Sequence, residues 1–256
     1  MLKKRLVGVI TVKDGWAVQS FGYRRYLPLG RPEVLAENLD RWGADEILLQ
    51  SIDRSVRQLG PDFAMIDRVA RKGLGTPIIL AGGIRTADEG VQAIKSGADR
   101  ICVDALLHDA PAVVGELSHR LGAQALIAAL PLSIEAGQLR RYDYRTCSLV
   151  GLDDAAMALL QEKVVSEALI IDWRNEGREG GFNFELLTQF PLPDVPLIAF
   201  GGLGEAACLR RAFDMPQVVA AAIGNALSYR EHAIGTFKQQ LGGLPLRMPS
   251  VEAALN

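Results

Sequence analysis

Eight short apolar runs rich in branched side chains punctuate this sequence, and they restrict its fold more than any other feature. They are Leu6–Val12, Glu46–Ile52, Pro77–Ala81, Arg100–Val103, Ala125–Leu130, Ala168–Asp172, Val195–Phe200 and Val218–Ala222. Between them lie segments with apolar residues at helical spacing: Pro32–Trp42, Asp62–Lys72, Ala87–Ser96, Ala112–Leu121, Asp153–Val164, Gly204–Phe213 and Arg230–Leu241. One run and one such segment take roughly 30 residues, the size of a βαβ element, and strands this apolar suit a parallel sheet covered on both faces. Eight units in a row predict a closed (β/α)8 TIM barrel.

The halves of the chain also resemble one another at a spacing of about 120 residues. Thr76-Pro77-Ile78-Ile79-Leu80-Ala81-Gly82-Gly83-Ile84 matches Val195-Pro196-Leu197-Ile198-Ala199-Phe200-Gly201-Gly202-Leu203, and Glu46-Ile47-Leu48-Leu49 matches Glu167-Ala168-Leu169-Ile170. A repeat after four βα units describes two half-barrels, about 1–122 and 123–256, within one domain. The length of 256 residues suits a single α/β barrel. A net charge of −2 provides no polybasic footprint for nucleic acid. The longest apolar runs fall short of the ~20 residues that span a bilayer, so no membrane segment is expected. The start, Met1-Leu2-Lys3-Lys4-Arg5-Leu6-Val7, has the charge of a signal peptide, but Lys13-Asp14 interrupts it and no small-residue cleavage site follows. Cys102, Cys147 and Cys208 form no metal spacing and leave one unpaired, which fits a reducing cytoplasm. No metal and no cofactor are expected.

In a barrel, ligands meet the C-terminal ends of the strands. Gly82-Gly83 and Gly201-Gly202 fall there, directly after strands three and seven. Glycine lets backbone N–H groups approach an anion closely, and a following helix N-terminus adds favourable potential. A tight turn without a ligand is the competing explanation for one such pair. The duplicate in register, with Gly224-Asn225 after strand eight, favours a phosphate cradle in the second half.

Over essentially its whole length the chain resembles HisF, the cyclase subunit of imidazole glycerol phosphate synthase. The resemblance rests on Lys4-Arg5-Leu6-Val7, Val12-Lys13-Asp14-Gly15, Gly43-Ala44-Asp45-Glu46, Ala81-Gly82-Gly83-Ile84, Ser96-Gly97-Ala98-Asp99-Arg100 and Gly201-Gly202. It implies a half-barrel duplication with two phosphate sites. It also implies a heterodimer with a HisH-like glutaminase that docks on the bottom face and sends ammonia along the barrel axis. In that family, ammonia and a bis-phosphorylated ribulosyl substrate give imidazole glycerol phosphate and an aminoimidazole carboxamide ribotide.

The departures from the family bear on the chemistry. Its two catalytic aspartates end strands one and five, where this chain has Thr11 and Pro131. Neither side chain exchanges a proton near neutral pH, and general acid–base catalysis contributes on the order of 10²–10⁴-fold per well-placed group. Asp14 and Glu176 are the candidate substitutes. After strand four the family presents an asparagine and a threonine to phosphate, whereas this chain has Asp104-Ala105. A carboxylate ~4 Å from a phosphate charge is repelled by about 4 kcal/mol at an effective dielectric near 20. One good phosphate cradle is therefore expected, in the second half.

At the opposite end, the resemblance assigns Arg5, Glu46, Arg100 and Glu167 to the ring of alternating charges that forms the family's ammonia entrance. A salt-bridged plug that closes the barrel is the competing explanation. Asp99 matches the family's docking carboxylate for the glutaminase. The first loop holds Trp16, Gln19, Phe21, Tyr23, Arg24, Arg25 and Tyr26. In the family this loop closes over substrate and contains a lysine; here Gln19 and the Arg24-Arg25 pair point to a different anionic ligand with a planar or sugar face. Trp173, Arg174 and Arg178 add to a rebuilt mouth. His108, His119 and His232 have no nucleophile or metal spacing near them and are expected at helix-flanking or surface positions, and Cys102 is a core residue.

Three functions follow. The first is a HisF-like synthase subunit that directs glutaminase-derived ammonia to an anionic, phosphorylated sugar-type acceptor, as the resemblance to divergent members in surface-polysaccharide sugar modification suggests. The second is the imidazole glycerol phosphate synthase cyclase of histidine biosynthesis with replaced acids. The third is a non-catalytic barrel that activates a glutaminase.

Overall fold

Each apolar run becomes a barrel strand, and two of them continue into hairpins that the strand pattern alone did not reveal. In the computed structural model, which describes residues 3–229 and 231–247, β1 (Arg5–Lys13) turns back into β2 (Trp16–Phe21) and β3 (Arg25–Gly30) before α1 (Pro32–Arg41). The first half continues with β4 (Glu46–Ser51), α2 (Phe63–Ala70), β5 (Ile78–Ala81), α3 (Ala87–Lys95), β6 (Arg100–Val103), the short α4 (Ala105–Asp109) and α5 (Pro111–Leu121). The second half repeats the plan: β7 (Leu126–Glu135) turns into β8 (Gln138–Asp143) and β9 (Ser148–Val150), followed by α6 (Asp154–Gln161) and β10 (Glu167–Asp172). A short α7 (Glu185–Thr188), β11 (Leu197–Phe200), α8 (Ala206–Phe213), β12 (Val218–Ile223) and α9 (Ala233–Gln240) complete it. Arg230, the first residue of the last expected helix, and the outer ends of both expected half-barrels, residues 1–2 and 248–256, lie outside the described residues.

The parallel strands run β1-β4-β5-β6-β7-β10-β11-β12, and β12 pairs with β1, so the sheet closes. The helices wrap this (β/α)8 barrel, and none among the described residues is long and apolar enough to cross a membrane. Local chemistry sets the ends of the elements. Thr86 and Glu89 form a reciprocal capping box on α3, while Asp62 and Asp153 cap α2 and α6. Gly8 lets α1 seat closely on β1, since a Cβ there would stand 2.7 Å from Leu39 Cδ1. Pro131 is tolerated inside β7 because β6 pairs only as far as Ala128, leaving no ladder bond on that side for its missing N–H.

Both hairpins rise from the C-terminal end of a barrel strand, at the mouth. Their two-residue turns, Asp14-Gly15 (φ 52° and 78°) and Ala136-Gly137 (φ 49° and 77°), have left-handed backbone at both positions, the geometry that matches strand twist. One apolar layer lies between sheet and helices and a second fills the barrel axis. Within the axial layer is a void of about 10 Å³ lined by one residue from every barrel strand: Val7, Leu48, Ile79, Cys102, Ile127, Leu169, Ile198 and Ala222.

Candidate functional site

At the bottom of the barrel the register of four strands brings Arg5, Glu46, Arg100 and Glu167 into one ring. Arg5 Nη1 donates to both Glu46 oxygens (3.0 and 2.9 Å) and Nη2 to Glu167 Oε1 (2.8 Å). Arg100 Nη1 reaches Glu46 Oε1 (3.3 Å) and Glu167 Oε2 (3.0 Å), while its Nε holds the Gln124 carbonyl. The ring is neutral and mostly buried, with each side chain between 7 and 15% exposed. Burial works against the Arg5 charge, but Glu46 and Glu167 overcome it and raise its pKa. Arginine does not deprotonate at accessible pH, so loss of an arginine proton does not open the ring. Asp99 is exposed beside this face, and one of its oxygens accepts the Ile78 N–H at 2.8 Å.

Above the axial void lies a cavity of about 190 Å³ at the mouth of the first half. Cys102 lines both, so the two spaces share a wall. Tyr23, Tyr26, Tyr142, Tyr144 and Trp173 enclose the cavity, Pro131 lines it, and Gly82, Gly83, Ser51 and Asp104 supply polar edges. Trp173 stacks on Tyr142 with ring centres 4.0 Å apart, and the Arg174 guanidinium stands 4.6 Å over the indole. Among the described residues, no lysine or arginine lines this cavity. Burial raises the Asp104 carboxyl to about 7, although Arg141 and Arg145 nearby pull it down. The Gly83 N–H, expected to face an anion, instead donates to Ser55 Oγ at 3.1 Å.

The second-half cleft is smaller, about 20 Å³, and is lined by Glu176, Gly177, Arg178, Gly201, Gly202, Gly204, Gly224 and Asn225 among others. The glycines have a structural reason as well. Gly201 and Gly202 have φ of 104° and 83°, matching 104° and 86° at Gly82 and Gly83, and a Cβ on Gly201 would stand 2.5 Å from the Asp172 carbonyl oxygen. Asn225 is engaged in the fold: its Nδ2 donates to the Ser20 carbonyl (2.6 Å) and its Oδ1 accepts the Ser20 N–H (3.2 Å), pinning β2 to the barrel.

Glu176 performs a similar task. It is buried and accepts from Ser20 Oγ and the Tyr23 N–H, both at 3.0 Å, so the first hairpin is clamped over the mouth. Burial raises its pKa. Asp14 lies away from the cavity, as the exposed first residue of the hairpin turn, paired with Lys13 and Arg57, which lower its pKa. Thr11 is buried on β1 against the cleft beside α1 and does not line the mouth cavity, so only Pro131 of the two replaced acid positions borders it. Gln19 is buried on β2, and Arg24 and Arg25 are exposed, with Arg25 over the Phe21 ring. His119 and His232 are exposed, but the His108 side chain is buried, with Nδ1 3.9 Å from Asp153 Oδ2, and burial lowers its pKa to about 4. Of the two expected placements, helix-flanking or surface, His108 takes the first, at the end of the short α4, with its side chain turned inward.

Ser51, Ser55, Tyr142, Tyr144 and Asp172 were not singled out from the sequence. Asp172 ends β10 and ties the strand-six loop together through Asn175 Nδ2 and the Asn183 N–H, both at 2.8 Å. The half-chain repeat signals all five, because it relates the two mouth segments position by position.

Comparison with known proteins agrees with this architecture. The family model described as histidine biosynthesis protein matches residues 5–233. Among curated proteins, the chain is 26% identical to an imidazole glycerol phosphate synthase subunit HisF of Exiguobacterium sp., covering 98% of this chain and 99% of that protein. It is 27% identical to the HisF subunit of Thermococcus gammatolerans (97% and 99% covered) and 29% identical to that of Myxococcus xanthus (96% and 99%). With a family match across nearly all of a closed (β/α)8 barrel, the chain belongs to the histidine biosynthesis protein family as a divergent HisF-like member.

Proposed function

We propose that this chain is the ammonia-using synthase subunit of a glutamine amidotransferase of the imidazole glycerol phosphate synthase type. Its partner is a HisH-like glutaminase docked on the bottom face near Asp99. The observation that carries the proposal is the succession of charged ring, apolar axial void and mouth cavity along one line. An ion entering the void would lose its hydration at a cost of many kcal/mol, whereas neutral ammonia would not. Side-chain movement at Arg5 or Arg100 would open the floor, and the shared wall at Cys102 delivers the nucleophile to the mouth. The anionic end of the acceptor rests in the second-half cleft, where Arg178 faces the glycine backbone.

The names of the relatives favour the histidine-pathway acceptor and the cyclase reaction. One observation favours a second acceptor, another anionic sugar: Thr11 and Pro131 offer no titratable group, and neither Asp14 nor Glu176 lines the mouth cavity. The test pairs the purified chain with its glutaminase and supplies glutamine. Imidazole product from the bis-phosphorylated ribulosyl substrate identifies the cyclase. Glutamine hydrolysis stimulated by a different phosphorylated sugar, with that sugar aminated, identifies the second acceptor. Stimulation with no acceptor consumed would refute a synthase role and leave a barrel that only activates its partner.

A further inference from the structure

β1 changes neighbours beside α1, and the change leaves room. It pairs with β12 only as far as Gly8 and with β2 only from Thr11, so Val9 and Ile10 lie in the fork between the two. A cavity of about 180 Å³ opens there, walled by Val18, Leu29, Leu35, Leu39, Trp42 and Leu227. It shares no lining residue with the mouth cavity, and only Gly224 and Asn225 with the second-half cleft. Leu35 and Trp42 are half-buried and Leu29 is exposed, so large apolar side chains stay wet at one concave place, the condition that favours an apolar ligand. Among the described residues, no acidic or basic side chain lines it. Thr11 supplies a polar anchor. It is only 6% exposed, and its hydroxyl makes no hydrogen bond among the described residues, yet that hydroxyl is not sealed from solvent as Ser51 Oγ and Ser133 Oγ are. Thr11 borders this cavity and neither the mouth cavity nor the second-half cleft, so the hydroxyl faces this space. The other polar side chains of the wall lack that need: Asn225 is bonded to Ser20, while Asn38 and Ser228 reach water at the rim. A buried hydroxyl seeking a partner inside an apolar wall points to a ligand with one polar group.

We propose that this cavity binds a small uncharged ring compound carrying a single hydroxyl, with that hydroxyl bonded to Thr11 and the ring packed against Trp42 and the leucines of α1. Charge is excluded because an ion would give up its hydration against walls that offer no counter-charge. An apolar cavity of about 150 Å³ takes one benzene ring, so about 180 Å³ admits one substituted ring. The inference draws nothing from the amidotransferase reading and stands if that reading fails.

Titration calorimetry of the full chain, without glutaminase or turnover, tests it with p-cresol, benzyl alcohol and cyclohexanol, and with benzoate as the charged counterpart. At least one of the three neutral compounds should bind saturably in the millimolar range or tighter, and benzoate about tenfold more weakly than benzyl alcohol. Thr11→Val keeps the shape and removes the hydroxyl, so affinity should fall about three- to tenfold. Leu35→Trp fills the cavity and should abolish binding. Selective tryptophan excitation should report the same ligand as a saturable change in emission that is missing in Trp42→Phe. Silence from all three neutral compounds, benzoate binding as tightly as benzyl alcohol, undiminished affinity in Thr11→Val or in Leu35→Trp, or an emission change that survives Trp42→Phe would overturn the proposal. Circular dichroism of each variant establishes that it is folded before affinity is compared.

Discussion

Replacing Asp104 by asparagine should make this protein more stable at alkaline pH, an unusual outcome for a change at a binding cavity. The carboxyl moves from an ordinary 3.8 in the open chain to about 7 in the fold, because burial disfavours its charge more than Arg141 and Arg145 favour it. Asp143 and Asp109 face it as like charges, and Tyr144, Tyr23 and Cys102 are neutral neighbours. A raised acid contributes stability that is complete below its unfolded pKa and is lost as pH rises through the folded value. Stability therefore declines from about pH 4 to about pH 7. At about 1.4 kcal/mol per unit, the loss is on the order of 4 kcal/mol. Asparagine keeps the shape and removes the titration, so the variant should lack this decline. With ~2–4 °C in Tm per kcal/mol for a chain of this size, Asp104→Asn should melt about 5–15 °C above the parent near pH 8.5 and close to it near pH 4. Thermal melts followed by circular dichroism at those two pH values suffice. A variant less stable than the parent at pH 8.5, or one with the same pH slope, would refute the reasoning, because the carboxyl would then be ionised and satisfied in the fold.

Three further outcomes follow from the same geometry. Glu167→Gln leaves two arginines facing one carboxylate; it should lower stability by about 3 kcal/mol in urea titrations and uncouple glutamine hydrolysis from acceptor amination, whereas a mere plug would show the stability loss with coupling intact. Lys238 is bonded to Asp45 at 2.8 Å in a buried pair that ties α9 under β1; Lys238→Met strands the carboxylate and should cost about 3 kcal/mol, measured the same way. Asn225→Ala removes two bonds to Ser20 of β2 and one to the Gly177 carbonyl in the loop after β10. It should cost about 1–3 kcal/mol and expose the turn around Gly22 to limited proteolysis, with uncut protein counting against the fastening role.

The strands were legible because a parallel barrel buries both faces of each strand, which writes itself as an unbroken apolar run such as Leu126–Leu130. The hairpins were not, because β2–β3 and β8–β9 each combine a few alternating residues with polar ones and read as loop. Asp14-Gly15 nonetheless carries the strongest short hairpin signal, which reassigns Asp14 from a possible acid to a turn residue. The four ring residues were found through resemblance and meet in space as a ring; periodicity alone would not have joined positions as distant as Arg5 and Glu167. The mouth was the least legible part. Whether Glu176 clamps a hairpin or faces a ligand depends on the side chains of Ser20 and the backbone of Tyr23, which only the closed barrel brings near.

The internal duplication explains why the two mouth cavities differ. Positions 121 apart correspond: Ser51 to Asp172, Ser55 to Glu176, Tyr23 to Tyr144 and Asp104 to Asn225. In the second half, Asp172, Glu176 and Asn225 bond to loops and to the first hairpin, so little free space remains, and the cleft is lined by glycine backbone together with Arg178, Glu176 and Asn225. In the first half, the smaller Ser51 and Ser55 leave volume, and both tyrosines of the related pair turn into it. The single position that decides the charge of the cavity is then Asp104, since its counterpart is a neutral amide. Above pH 7, where the Asp104 carboxyl is ionised, it opposes a phosphate charge ~4 Å away by about 4 kcal/mol at an effective dielectric near 20, so Asp104→Asn should admit inorganic phosphate that the parent excludes, read by titration calorimetry at pH 8.5. A variant that still excludes phosphate would place the exclusion in the shape of the cavity and the Ser55 bond to Gly83 rather than in charge.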